Sequence, residues 1–266
     1  MYENYFGLTK TPFSKDIAAS QLFGHAGHDE ALARLGYLVK ERAIGVLTGE
    51  VGSGKTVALR ALTSNLDASR HTVVYFCGLA GIRGFYMEFV SSLGAIPNFL
   101  RAHMVRQAKE LIAQETTEKR KNLIVIIDEA HLVPIELLEE LRLLTNEAMD
   151  SKSQFSLILS GQPTLRRKLQ LTQLNALSQR ISLRYQLKGL ARDETAKYIH
   201  HHLTLAGRAD ALFSDDAVSL IHSSSAGIPR KINNLCAQAL IAGFIEKKAI
   251  IDESTVNRAV AETVGD

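Results

Sequence analysis

The sequence predicts an α/β fold in which a parallel five-stranded sheet is flanked by helices and followed by a helical C-terminal part. Two observations lead there. Apolar, β-branched runs at 44–48, 72–77, 123–127 and 155–160, with a weaker one at 181–187, alternate with segments of helical period. Such alternation argues for a mostly parallel sheet covered on both faces. The second observation is the stretch Gly49 to Thr56, GEVGSGKT. It fits the pattern G-x-x-x-x-G-K-[ST] between an apolar strand run, Ile44 to Thr48, and a helical stretch, Val57 to Leu62. Open parallel sheets gather ligands at the carboxyl ends of their strands, where this loop falls.

The 266 residues, 46% hydrophobic and 22% charged, suffice for one large domain or a core with a smaller companion. The opening MYENYFGLTKTPF has no cationic lead into a long apolar segment, and no later run approaches the ~20 apolar residues of a membrane span. A soluble cytoplasmic protein with no membrane partner is expected. Tyr2, Tyr5 and Phe6 are expected to pack on the sheet or near a bound base. Cys77 and Cys236 each lie in an apolar stretch, which argues for packed thiols in a reducing compartment rather than a disulfide.

In the loop, Gly49, Gly52 and Gly54 let the backbone bend until successive N–H groups point at a polyphosphate, which also meets the positive end of the following helix. Glu50, Val51, Ser53 and Val57 complete the phosphate-binding stretch. Lys55 is expected to reach the β- and γ-phosphates, and Thr56 to offer its hydroxyl to Mg²⁺. Leu123 to Ile127 form a buried strand that ends in Asp128-Glu129. Five aliphatics delivering two carboxylates to a sheet edge make sense if Asp128 orients Mg²⁺ through its hydration shell and Glu129 polarises the attacking water. Leu157 to Leu159 form another strand, and either Ser160 or Gln162 at its end would reach the γ-phosphate or the water. Arg180 closes a short helix before the last strand, from where its fork of donors can point into a neighbouring subunit's site. Arg230, in Gly227-Ile228-Pro229-Arg230, begins a helix and would face the phosphates of its own chain.

Beyond Leu190 no strand run appears. Asp193 is expected to cap a helix over 194–205, Ser214 one through His222, Pro229 to open one to about Phe244, and Asp252 to introduce Glu253 to Glu262. The expected division is therefore 1–190 for the nucleotide-binding part and 191–266 for a helical lid. His200, His201 and His202 are consecutive, so on a helix they point in different directions, as on a solvated face rather than around a metal.

Net charge is only +3, yet Ser151 to Arg192 holds no Asp or Glu while carrying Lys152, Arg166, Arg167, Lys168, Arg180, Arg184, Lys188 and Arg192. A second basic cluster, Lys119-Arg120-Lys121, follows Arg101, Arg106 and Lys109.

Phosphate loop, Asp128-Glu129, a polar sensor, Arg180 and Arg230 together resemble an AAA+ ATPase, a P-loop NTPase, over nearly the whole chain. Tyr5-Phe6-Gly7-Leu8 with Pro12-Phe13, the Leu47 to Thr56 stretch, Ile127 to His131, Ser160 to Pro163 and Gly227 to Arg230 resemble the ExeA-like branch, including Mu B-type regulators of bacterial transposons. The resemblance implies ATP with Mg²⁺ and a homo-oligomer, ring or helical filament, around double-stranded DNA, with a transposase as partner. It implies Arg180 as a trans finger and Arg230 as second sensor. Many AAA+ proteins carry Asn as first sensor, where here the choice lies between Ser160 and Gln162. It also suggests that Arg83, Arg101, Arg106, Lys119, Arg120 and Lys121, in or beside the long segment from Gly81 to Arg120, line a channel and touch DNA phosphates. The chain has no Trp, so stacking on single strands is the weaker expectation. Competing readings are the secretion-associated relatives, whose membrane span and wall-binding region are expected not to fit in this length, and replication-initiator or helicase-loader ATPases, whose appended DNA-reading domain is expected to be absent.

Overall fold

The computed structural model describes residues 2–14, 17, 21–79, 81–147 and 152–264. Its elements in order are α1 (Tyr2–Tyr5), α2 (Ala26–Glu41), β1 (Ile44–Gly49), α3 (Lys55–Ser64), β2 (His71–Cys77), α4 (Ile82–Ser92), α5 (Arg101–Ala113) and β3 (Asn122–Asp128). There follow α6 (Ile135–Leu144), a two-residue pair β4 (Asn146–Glu147) and β5 (Lys152–Ser153), β6 (Ser156–Gly161), α7 (Thr164–Lys168), α8 (Asn175–Arg180) and β7 (Ile181–Leu187). The chain ends in α9 (Arg192–Leu205), α10 (Asp215–Ser225), α11 (Pro229–Ile245) and α12 (Glu253–Val264).

Two compact units result, one of residues 28–49 and 55–187, the other of 1–27, 50–54 and 188–266. In the first, five parallel strands lie in the order β2-β3-β6-β1-β7. Successive residues of a strand face opposite ways, and β3 divides its aliphatics accordingly. Leu123, Val125 and Ile127 join Phe85, Phe89, Met104, Leu137 and Leu141 on one face, while Ile124 and Ile126 join Leu35, Leu38, Leu59 and Leu62 on the other. A strand buried on both sides must be apolar throughout. The five strand runs and the parallel sheet expected from the sequence are thus the ones observed.

The second unit packs its helices around Phe6, Leu8, Phe13, Ile199, Leu203, Ile221, Ile232, Leu240 and Val256. Phe6 therefore belongs to this helical core and not to the sheet, one of the two places expected for it. Thr9 N–H donates to Ala206 O at 2.8 Å and Arg208 donates to Phe6 O at 2.5 Å, which ties the amino-terminal segment to the end of α9. Ser214 Oγ accepts the N–H of Ala217 at the start of α10, and Asp252 Oδ1 accepts that of Thr255 in α12. Asp193 does not cap α9. The helix begins at Arg192, and Glu194 reaches back to the Ala191 N–H at 2.9 Å, leaving Asp193 in the first turn.

Two further expectations are corrected. His202 is buried, stacked on Phe13 at 5.3 Å, because the helix turns one of three consecutive residues into the core. Cys77 is exposed, on the face of β2 that it shares with the exposed Val73 and Tyr75 and opposite the buried Val74 and Phe76, whereas Cys236 is buried and its thiol pKa is pushed well up by desolvation.

Candidate active site

The site of the sheet unit assembles at the carboxyl edge of the strands. Asp128, the last residue of β3, is 2% exposed. Its carboxylate accepts four hydrogen bonds. The hydroxyls of Thr56 and Tyr75 donate to Oδ2 at 2.9 and 3.0 Å, and the hydroxyl of Ser160 and the N–H of Glu129 donate to Oδ1 at 2.8 and 3.0 Å. Strand order explains the convergence: β3 lies between β2, which brings Tyr75, and β6, which brings Ser160. Burial, followed by the charge of Asp128, pushes the phenol of Tyr75 well above its usual pKa, so it remains a donor.

Lys55, the first residue of α3, is 5% exposed and its ammonium donates to Gly49 O at 2.9 Å. A buried ammonium is retained only where acceptors or anionic charge compensate its lost hydration.

Glu129 has φ 53 and ψ 34, a left-handed conformation uncommon for a residue with a side chain. The turn after it, Ala130–Leu132, carries His131, whose Nε2 stands 3.5 Å from Glu129 Oε2. Nδ1 of the same ring accepts the Gln162 N–H at 3.4 Å. Ser160, then, is the residue of the pair Ser160/Gln162 whose side chain reaches Asp128. The sequence reading missed both Tyr75 and His131. Period-two alternation in β2 did set Tyr75 on the face opposite Val74 and Phe76, but only strand pairing shows what that face meets.

In the helical unit, Gly52 adopts φ +82 and its carbonyl accepts the Arg230 N–H at 3.3 Å. A Cβ on Gly52 would stand 2.4 Å from Arg230 Cβ. Ser53 N–H donates to Glu50 O at 3.1 Å, while its buried Oγ has no partner among the described residues. Glu50 and Val51 are exposed and Val57 is half-buried.

These features test the fit of a nucleotide with Mg²⁺. An unsatisfied buried hydroxyl at Ser53 and a buried ammonium at Lys55 are donors suited to phosphate oxygens. A carboxylate flanked by a threonine hydroxyl suits Mg²⁺, which keeps much of its water. Among the described residues no cluster of three or more His, Cys, Asp or Glu could hold a metal by itself. The donor set fits Mg²⁺ shared with phosphates.

Arg180 departs from its expected outward course. At the end of α8 it turns back and donates to Arg142 O at 3.0 Å, Thr145 Oγ1 at 3.1 Å and Asn146 Oδ1, because the carbonyl end of α6 presents acceptors there. Nor do the six basic residues expected to line a channel gather into one group. Arg83 opens α4 beyond the carboxyl end of β2 and lies over Phe99, 5.3 Å from its centroid. Arg101 pairs with Glu140 at 3.4 Å, and Arg106 lies exposed further along α5. Lys119 pairs with Glu115, Arg120 is in a left-handed turn, and Lys121 donates to Ala68 O at 3.0 Å. These last three precede β3, at the opposite sheet edge from Asp128.

Fold and loop together define a class: this is the P-loop fold of AAA+ proteins. Residues 39–169 match the family model described as AAA domain. The chain is 34% identical to General secretion pathway protein A of Aeromonas hydrophila, over 100% of its own length and 49% of that protein's. It therefore spans about half the length of that curated relative. Among solved structures it is similar to Cdc6p from Pyrobaculum aerophilum, with TM-score 0.71 and 17% identity, covering 94% of this chain and 70% of that one. The Aeropyrum pernix ORC1 protein in complex with DNA gives TM-score 0.66 at 15% identity, covering 94% and 68%. Among the described residues no helix is long and apolar enough to cross a membrane.

Proposed function

We propose that the chain is a Mg²⁺-dependent ATPase. The observation that carries this reading is the buried Asp128 carboxylate with the hydroxyls of Thr56, Ser160 and Tyr75 upon it. Lys55 and Ser53 bind the phosphate oxygens of ATP, and Thr56 with Asp128 holds the metal. Mg²⁺, when bound, supplies charge neutralisation at the β- and γ-phosphates. Glu129 orients the attacking water and draws on its proton. Ser160 fixes the Asp128 carboxylate and acts as first sensor, and Arg230 acts as second sensor. Arg180 serves a neighbouring subunit's site in a homo-oligomer, a role that requires it to leave Asn146. Replacing Lys55 by alanine should abolish nucleotide binding, and Glu129→Gln should bind ATP without turning it over. Parental turnover in either variant overturns the assignment.

For the work done with ATP, the reading the motifs favour is assembly on double-stranded DNA with a transposase as partner, in the manner of Mu B-type regulators. The shared fold with a DNA-complexed ORC1 supports the DNA part. In a filter-binding titration, duplex affinity should rise when ATP is added, and equal affinity with and without ATP sinks this reading. The 34% identical relative favours a second one, an ATPase part of a secretion apparatus. A neighbouring transposase gene supports the first, a secretion operon the second.

A further inference from the structure

The two ring nitrogens of His131 are committed in opposite senses. Nδ1 accepts the backbone N–H of Gln162 at 3.4 Å, and Nε2 lies 3.5 Å from Oε2 of Glu129. An N–H aimed at Nδ1 requires that nitrogen to be bare, which leaves the ring's proton on Nε2, the nitrogen that faces the carboxylate. The His131 side chain is 10% exposed against 35% for Glu129. A half-buried carboxylate thus lies 3.5 Å from a ring nitrogen that the protein itself fixes.

Two independent features support the arrangement. A Cβ on Gly161 would stand 3.2 Å from His131 N and 3.3 Å from Nδ1, so the end of β6 is shaped to admit the ring. Glu129 also sits in a left-handed backbone conformation at φ 53, uncommon for a residue with a side chain and found where a site over-determines the backbone.

We propose that His131 is a positioning residue that sets the orientation of the Glu129 carboxylate and couples it to the end of β6. The inference rests on the reading of Glu129 as the group that activates water. His131 itself touches neither water nor nucleotide in this role. Any shift of the Gln162 backbone, two residues past the sensor Ser160, moves the ring and with it the carboxylate.

Substitution separates the two nitrogens. Glutamine places an amide donor near the position of Nε2, asparagine reaches only as far as Nδ1, and alanine supplies neither. H131Q should keep kcat within about threefold of the parent, while H131N and H131A lose about tenfold or more, as a misplaced catalytic group does. KM for ATP and the Kd of a fluorescent ATP analogue should stay within about twofold throughout, because the phosphate grip lies elsewhere. Independently of turnover, ¹⁵N-histidine NMR of the parent, with H131Q to assign the resonance, should show Nε2 protonated and Nδ1 bare. An Nδ1–H tautomer, equal losses in H131N and H131Q, or parental kcat in H131A overturns the proposal. E129Q separates the two levels: inactive E129Q beside active H131A removes this inference alone, whereas parental turnover by E129Q removes the water-activating reading and this inference with it.

Discussion

The phenol of Tyr75 donates to Asp128 Oδ2 at 3.0 Å, the same oxygen that the Thr56 hydroxyl reaches at 2.9 Å. A carboxylate oxygen with two donors on it has a fixed direction, and the second donor comes from the edge strand of the sheet. Tyr75→Phe keeps the ring and removes the donor, so Asp128 should hold Mg²⁺ less well while ATP binding at saturating Mg²⁺ is unchanged. Since Tyr75 is 46% exposed, water compensates part of the loss, and the expected rise in the Mg²⁺ concentration for half-maximal turnover is about threefold to tenfold. An unchanged Mg²⁺ dependence would show that Thr56 and Ser160 alone orient the carboxylate.

Ser160 differs from Tyr75 in being fully buried. Removing its hydroxyl leaves Asp128 Oδ1 with the Glu129 N–H alone, in a place water reaches poorly. Ser160→Ala should therefore lower stability by about 1–3 kcal/mol, read as a shift in the urea midpoint, and lower kcat as well. Gln162→Ala should leave the midpoint within error, since no described contact of its amide supports Asp128. If Gln162→Ala is the more destabilised of the two, the strand end has been misread.

What the sequence made legible is what neighbours along the chain can encode. Gly49 to Thr56 and Leu123 to Glu129 each carry their own evidence, a strand period followed by loop or carboxylate chemistry, and both lie where that evidence put them. Tyr75 and His131 do not, because their partners come from β3 and β6, and which strands adjoin is a long-range property. The sheet placement offered for Phe6 failed for the same reason: an aromatic near the amino terminus gives no sign of which apolar face receives it. With His202 the signal was present. Tyr198, Ile199, His202 and Leu203 recur at the spacing of a buried helix stripe, and the geometry that separates three consecutive histidines also directs one of them inward.

That burial makes His202 a source of pH dependence. Desolvation, then the charge of His201, lowers its pKa from 6.5 to about 4. The unfolded chain takes up a proton more readily than the folded one, so the stability contributed by the neutral ring is complete above pH 6.5 and is lost as pH falls toward 4. The loss over that window is about 3 kcal/mol. His202→Leu should flatten this part of the profile. Urea midpoints at pH 7.5 and 4.5 check it: parallel falls in parent and variant would mean that carboxylates, not His202, set the acid limit.

Gly52 is constrained by its own backbone and by Arg230. Its φ of +82 already disfavours any side chain, and a Cβ would meet Arg230 Cβ at 2.4 Å, a backbone-proximal atom that cannot rotate away. Gly52→Ala should therefore cost more than backbone strain alone, and nucleotide affinity should fall by about tenfold or more as the loop shifts. Arg230→Ala cannot relieve the clash, because alanine keeps the Cβ. Arg230→Gly can, so Gly52→Ala with Arg230→Gly should recover stability relative to Gly52→Ala alone, while any contribution of the arginine itself to turnover stays lost. Equal midpoints for Gly52→Ala with and without Arg230→Gly would mean that the left-handed backbone, and not the approach of Arg230, dictates glycine at this position.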